Sequence, residues 1–186
     1  MLDFLQEKFY EAGVLEYGYT RPLDVNFRQI IRDICAENTC GRYGTTWACP
    51  PAVGTVDECR ARCLKYDTMF VFSCMTFVDD PLDLESMGQG MGSFQKVSHE
   101  VYSLARPYLG ESLLLANESC NTCETCTYPD APCRFPDKLN HSIESFGLLV
   151  SEVTDKAEIA YDNGYGTVTY FGAVLFNAAD IKKAVH

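Results

Sequence analysis

The chain has 186 residues, 47% of them hydrophobic and 22% charged, with a formal net charge of −11. That length and balance suit a globular chain with a proper buried core, expected as a single domain over residues 1–186. The acidic excess argues against nucleic acid as a partner, because nothing basic would displace counterions from phosphate, and it suits docking onto a redox partner protein.

The first ten residues mix charge into their apolar positions and do not read as a secretory signal. The longest apolar stretch, Met69 to Val78, is about half of what a membrane crossing needs, so no membrane association is expected. A cytoplasmic location follows, where thiols stay reduced. The ten cysteines are then read as metal ligands and core fillers in preference to disulfides.

In chain order, Leu2, Leu5 and Phe9 predict a helix over 2–12, and 14–20 a short strand. Phe27, Ile30, Ile31 and Ile34 form one helical stripe that places Cys35 near a helix C-terminus. Residues 38–54, with Gly41, Gly44, Pro50, Pro51 and Gly54, predict a loop. Thr55-Val-Asp-Glu58 is a capping box that starts a helix running to about Tyr66. Met69 to Phe77 is a near-continuous apolar run, the pattern of a strand covered on both faces.

The acidic, then glycine- and methionine-rich stretch 79–92 predicts a mobile loop or lid. Phe94, Val97, Val101, Leu104 and Tyr108 mark an amphipathic helix, and 113–116 a buried strand. Further on, 142–146 predicts a short helix, 148–153 a strand, 155–161 a helical turn or two, and 167–176 a final core strand. Helices alternating with apolar strands give an α/β class: a layered sheet with flanking helices and two cysteine-rich metal-binding loops, at 35–51 and 120–136.

Those loops carry the chemistry. In Cys120-x2-Cys123-x2-Cys126, followed by Cys133, three thiolates project from one tight loop at successive steps of three. Such a loop suits a 4Fe–4S cluster, whereas tetrahedral zinc usually takes two separated knuckles; zinc remains the alternative. The second set is Cys35, Cys40 and Cys49-Pro-Pro, where proline fixes the exit from the loop and glycines let the backbone bend. Tyr43 and Trp47 are placed to screen a cofactor or to act as ordinary core aromatics.

The fourth ligand of this second set is open. Cys59 and Cys63 are candidates, but they lie on a helical stripe with Val56 and Tyr66 and read better as core fillers, as does Cys74 in its strand. A cysteine shared between the two sites and a three-cysteine site with one open iron are the other possibilities.

Both motifs resemble those of domain-of-unknown-function family 2284, predicted metal-binding proteins. The matching text is Cys35-Ala-Glu-Asn-Thr-Cys40-Gly-x-Tyr43-Gly-x-x-Trp47-x-Cys49-Pro-Pro, then the 120–126 cysteines, Cys133-Arg-Phe-Pro136 and Ser142-Ile-Glu-Ser-Phe-Gly147. The resemblance implies an intracellular metal protein, with iron–sulfur chemistry expected, typical of anaerobic bacteria and archaea. It implies no reaction.

The remaining polar candidates are weaker. His141 reads as a neighbour of a helix cap and His99 as the polar side of its helix. Arg134, beside Cys133, is placed to neutralise part of a cluster's negative charge, to ground a carboxylate substrate or to form a structural salt bridge. No nucleotide, zinc-protease or hydrolase motif occurs. The favoured expectation is an iron–sulfur protein with one or two clusters in electron transfer or a redox accessory role. The alternatives are a zinc-stabilised interaction module and an enzyme with an open iron at Cys35, Cys40 and Cys49.

Overall fold

The computed structural model describes residues 1–78, 84–117 and 119–182, with backbone alone over 84–89. Among the described residues five strands form a single sheet: β1 (Glu16–Thr20), β2 (Thr68–Phe77), β3 (Ser112–Ala116), β4 (His141–Ser142) and β5 (Thr167–Phe176). Their order is β1-β2-β5-β3-β4. All neighbours are antiparallel except β3 and β4, which run parallel, with Leu115 opposite His141. Five α-helices accompany it: α1 (Gln6–Glu11), α2 (Gln29–Ala36), α3 (Val56–Cys63), α4 (Leu84–Ala105) and α5 (Val150–Lys156). The α/β class expected from the alternation of elements is the one observed.

The sheet's two faces bury two separate cores, and strand periodicity decides which residue joins which. On one face Met69, Val71, Leu115, Phe171, Ala173 and Leu175 pack with Cys59 and Cys63 of α3 and with Val150 and Val153 of α5. On the other, Phe70, Phe72, Cys74, Leu114, Val174 and Phe176 pack with Phe9 of α1 and with Phe94 and Val101 of α4. A strand flanked on both sides has no polar face, so β2 and β5 read as continuous apolar runs. Cys59, Cys63 and Cys74 are buried in these cores, as small hydrophobes are.

The capping box is formed as expected. Thr55 N–H donates to Glu58 Oε2 at 2.7 Å, and Thr55 Oγ1 accepts from Glu58 N–H at 3.2 Å. Two expectations need correction. The glycine- and methionine-rich segment from Leu84 onward belongs to α4; each interior glycine costs a helix up to about 1 kcal/mol, which packing of Phe94, Val101 and Ala105 against the sheet outweighs. The expected loop over 79–83 lies outside the described residues. The segment 148–153 is no strand: Leu148 makes one bridge to Phe27, and α5 starts at Val150, because Val153 and Ala157 reach the core only at helical spacing.

Helix α2 ends just after Cys35, as its stripe predicts. That stripe is not covered: Ile30 is 59% and Ile34 55% exposed, and no residue of the helix is buried. Periodicity reports which residues share a face; it does not report what covers that face. Among the described residues no helix is long and apolar enough to cross a membrane.

Candidate metal centre

Helix α2 delivers Cys35, and the chain then turns sharply. Asn38, Gly41 and Gly44 all adopt positive φ. Asn38 Oδ1 accepts from Tyr43 N–H at 2.9 Å, and Gly44 N–H donates to Pro50 O at 2.8 Å. That second bond folds the loop back on itself. Cys35, Cys40 and Cys49 thereby line one cavity of about 330 Å³, together with Arg42, Tyr43, Asn117, Ser119, Ser142 and Glu144.

Two arginines clamp this loop to the rest of the protein. Arg32 of α2 donates to Ser145 O at 2.9 Å and to Gly54 O at 2.8 Å. Arg62 of α3 donates to Val53 O at 2.6 Å and stacks over the Phe146 ring at 4.4 Å. Both also approach Cys59 Sγ, at 3.8 and 3.2 Å. Cys59 and Cys63 are thus on the far side of the clamp and do not line the cavity. The buried His141 ring holds the Ala48 carbonyl through Nδ1 at 3.3 Å, one residue before Cys49. Burial, reinforced by the Arg62 charge, lowers its pKa to about 4, so the ring is neutral at physiological pH. Its role is wider than the helix-cap neighbourhood expected of it.

Cys35 and Cys49 are partly or fully withdrawn from water, whereas Cys40 is exposed. Burial pushes Cys35 and Cys49 above the ordinary thiol value; Arg32 opposes the shift at Cys35, and hydrogen bonds from Thr46 and Ser119 oppose it at Cys49. The neighbouring cysteines raise both further, because like charges disfavour a second thiolate. A bound cation would reverse that balance.

Glu144 completes the wall and was not singled out from the sequence. It lies in a turn of 3-10 helix, Glu144–Phe146, between Ile143 and Phe146, whose side chains are fully buried in the core. The turn is fixed at both ends: Ile143 N–H donates to Ala116 O at 2.9 Å, and Arg28 N–H to Gly147 O at 2.7 Å. Gly147 has φ +80°, and a Cβ there would lie 3.1 Å from Arg28 O, so this close approach to the entry of α2 favours glycine. Burial pushes the Glu144 carboxyl up to about 7, against hydrogen bonds from its own N–H and from Ser142.

The second loop is built differently. Cys120, Cys123, Cys126 and Cys133 are all partly exposed. Their backbone is pinned by Thr127 Oγ1 to Pro132 O at 2.9 Å, Ala131 N–H to Thr127 O at 2.9 Å, and Arg134 Nη1 to Thr125 O at 3.0 Å. Arg134 therefore serves the loop's own structure. Trp47 of the first loop reaches across, packing edge-on against Tyr128 with ring centroids 4.9 Å apart. Cys133 lines a shallow cleft with Trp47, Pro129 and Leu139, separate from the first cavity.

Among the described residues no group of three or more histidine, cysteine or acidic side chains is placed to hold a single metal ion. The structure brings Cys35, Cys40 and Cys49 to one cavity and keeps the other four cysteines on one pinned loop. All seven are soft thiol donors suited to iron–sulfur clusters or zinc, and the cavity far exceeds the roughly 10–15 Å³ that one water-sized occupant needs. The residues present fit a thiolate-bound cofactor.

No curated protein and no solved structure matches the chain. A profile of the predicted metal-binding proteins DUF2284 matches residues 20–176, taking in both cysteine loops, the Ser142–Gly147 turn and four of the five strands in full, with the last residue of β1. The chain belongs to this family of predicted metal-binding proteins.

Proposed function

We propose that this protein binds two 4Fe–4S clusters, one at Cys35, Cys40 and Cys49 and one at Cys120, Cys123, Cys126 and Cys133, and passes electrons to a redox partner protein. The observation that carries the reading is the first cavity: three thiols from α2 and one folded loop surround a space much larger than a single ion. A closed structural zinc site takes four ligands, usually all cysteine or cysteine with histidine. This cavity offers three cysteines, the Glu144 carboxylate and no histidine, which is not one of those usual sets.

The second loop's steps of three agree with the same chemistry. When bound, such clusters supply reversible one-electron reduction. The chain's own residues bring the three thiols to one cavity, exclude water at Cys49 and line the first site with donors from Ser119 and Asn117. Stepwise reduction of anaerobically purified protein, followed by EPR, tests the proposal. A paramagnetic signal that appears on reduction, disappears on reoxidation and is altered in Cys126→Ala is expected. Protein that stays EPR-silent and takes up no electrons overturns electron transfer.

A further inference from the structure

We infer that Glu144 is the fourth ligand of the Cys35, Cys40 and Cys49 site, giving that cluster one carboxylate-ligated iron. This rests on the proposed iron–sulfur reading and deepens it.

The cavity walls leave few alternatives. Three cysteines and one acidic side chain line it among the described residues, with no histidine. Cys59 and Cys63 are enclosed by the core and by the arginine clamp. Cys120 and the rest of its loop do not line it. Glu144 does, and its carboxylate adds to the upward push on the Cys35 thiol.

Glu144 accepts hydrogen bonds from its own N–H and from Ser142, and it forms no salt bridge among the described residues. Arg32 and Arg62 direct their donors to the carbonyls of Ser145, Gly54 and Val53. Meanwhile the backbone holds the residue rigidly: buried Ile143 and Phe146 anchor the turn on either side, and Arg32 bridges it directly to the helix bearing Cys35. A carboxylate lining the same cavity as three thiols has the charge and the oxygen donors to complete an iron site. An oxygen ligand is harder than thiolate and exchanges more readily, so this iron would be the one most easily lost.

The test is ⁵⁷Fe Mössbauer and EPR spectroscopy of anaerobically purified wild-type protein beside Glu144→Gln and Glu144→Cys, with iron and sulfide counted in each. In the wild type one iron of the first cluster should differ from its neighbours. Glu144→Gln should lose that iron and show the oxidised signal of a three-iron cluster. Glu144→Cys should keep all its iron and lose the distinct site. Spectra and iron content identical across all three proteins overturn the ligand assignment while leaving the cluster reading intact. If wild-type protein holds no iron or sulfide, the cluster reading itself fails, and with it this assignment. Should Glu144→Gln fail to fold, the comparison of wild type with Glu144→Cys decides the same point.

Discussion

Trp47 Nε1 donates a hydrogen bond to the carbonyl oxygen of Ala131 at 3.0 Å, joining two cysteine loops that lie 84 residues apart in sequence. The bond is local to Cys49 on one side and to Cys133 on the other, so the geometry of one loop constrains the other. Trp47→Phe keeps the ring against Tyr128 but leaves the Ala131 carbonyl without this donor. It should cost about 1 kcal/mol in urea unfolding and speed proteolysis within 120–136. An unchanged cleavage rate in that segment would mean the loops are held together by other contacts. Trp47 is also the chain's single tryptophan, so its fluorescence should be quenched when either loop takes up iron.

Arg32 makes the second such link, between α2, Gly54 and the Glu144 turn. Arg32→Met removes two hydrogen bonds from a charged donor and should destabilise the fold by about 2–3 kcal/mol. The surface pair of Arg21 with Asp24 is the control, and Arg21→Met should leave the denaturation midpoint unchanged. If both variants behave alike, the clamp contributes nothing beyond an ordinary surface charge.

His141 gives a pH dependence with a definite sign. Its folded-state pKa is lowered from 6.5 to about 4, so the unfolded chain binds the proton more readily between those values. Stability from the neutral ring is fully present above pH 6.5 and is lost as pH falls towards 4, by about 3 kcal/mol at most. Glu144, raised to about 7, works in the opposite direction in metal-free protein as pH falls from 7 to 4.5. The contribution of His141 is therefore read as the difference between wild type and His141→Gln across pH 4–7. A difference that does not vary with pH would mean the ring is not held neutral by the fold.

Cys59 and Cys63 distinguish packing from ligation. Cys63, fully buried with its thiol pushed up to about 12 by burial, should tolerate Cys63→Ala at a cost of about 1 kcal/mol with metal content unchanged. Cys123→Ala should do the reverse, lowering metal content more than it lowers the stability of the metal-free chain. Loss of metal in Cys63→Ala without loss of structure would return that residue to the ligand set.

Much of this architecture is legible in the chain because it rests on local pattern. The Met69–Phe77 and Thr167–Phe176 runs announce strands buried on both faces, and Thr55 with Glu58 announces the start of α3. The helical stripe through Cys59 and Cys63 separates them from the loop cysteines before any fold is known. Other features depend on what packs where. Val150 and Val153 favour a strand by type, yet they join the core from a helix. Ile30 and Ile34 advertise a buried face that the chain leaves exposed. Glu144 looks like one acid among many, and its place in the wall of the three-cysteine cavity exists only once the turn after β4 docks beside α2.

The central claim is that these thiols hold iron–sulfur clusters, and the most direct measurement counts iron, acid-labile sulfide and zinc in protein purified and kept without oxygen. The account predicts about eight irons and a matching sulfide content per chain for two loaded 4Fe–4S sites, with zinc near zero. Zinc at about one or two atoms per chain, with no sulfide and no iron, would contradict it.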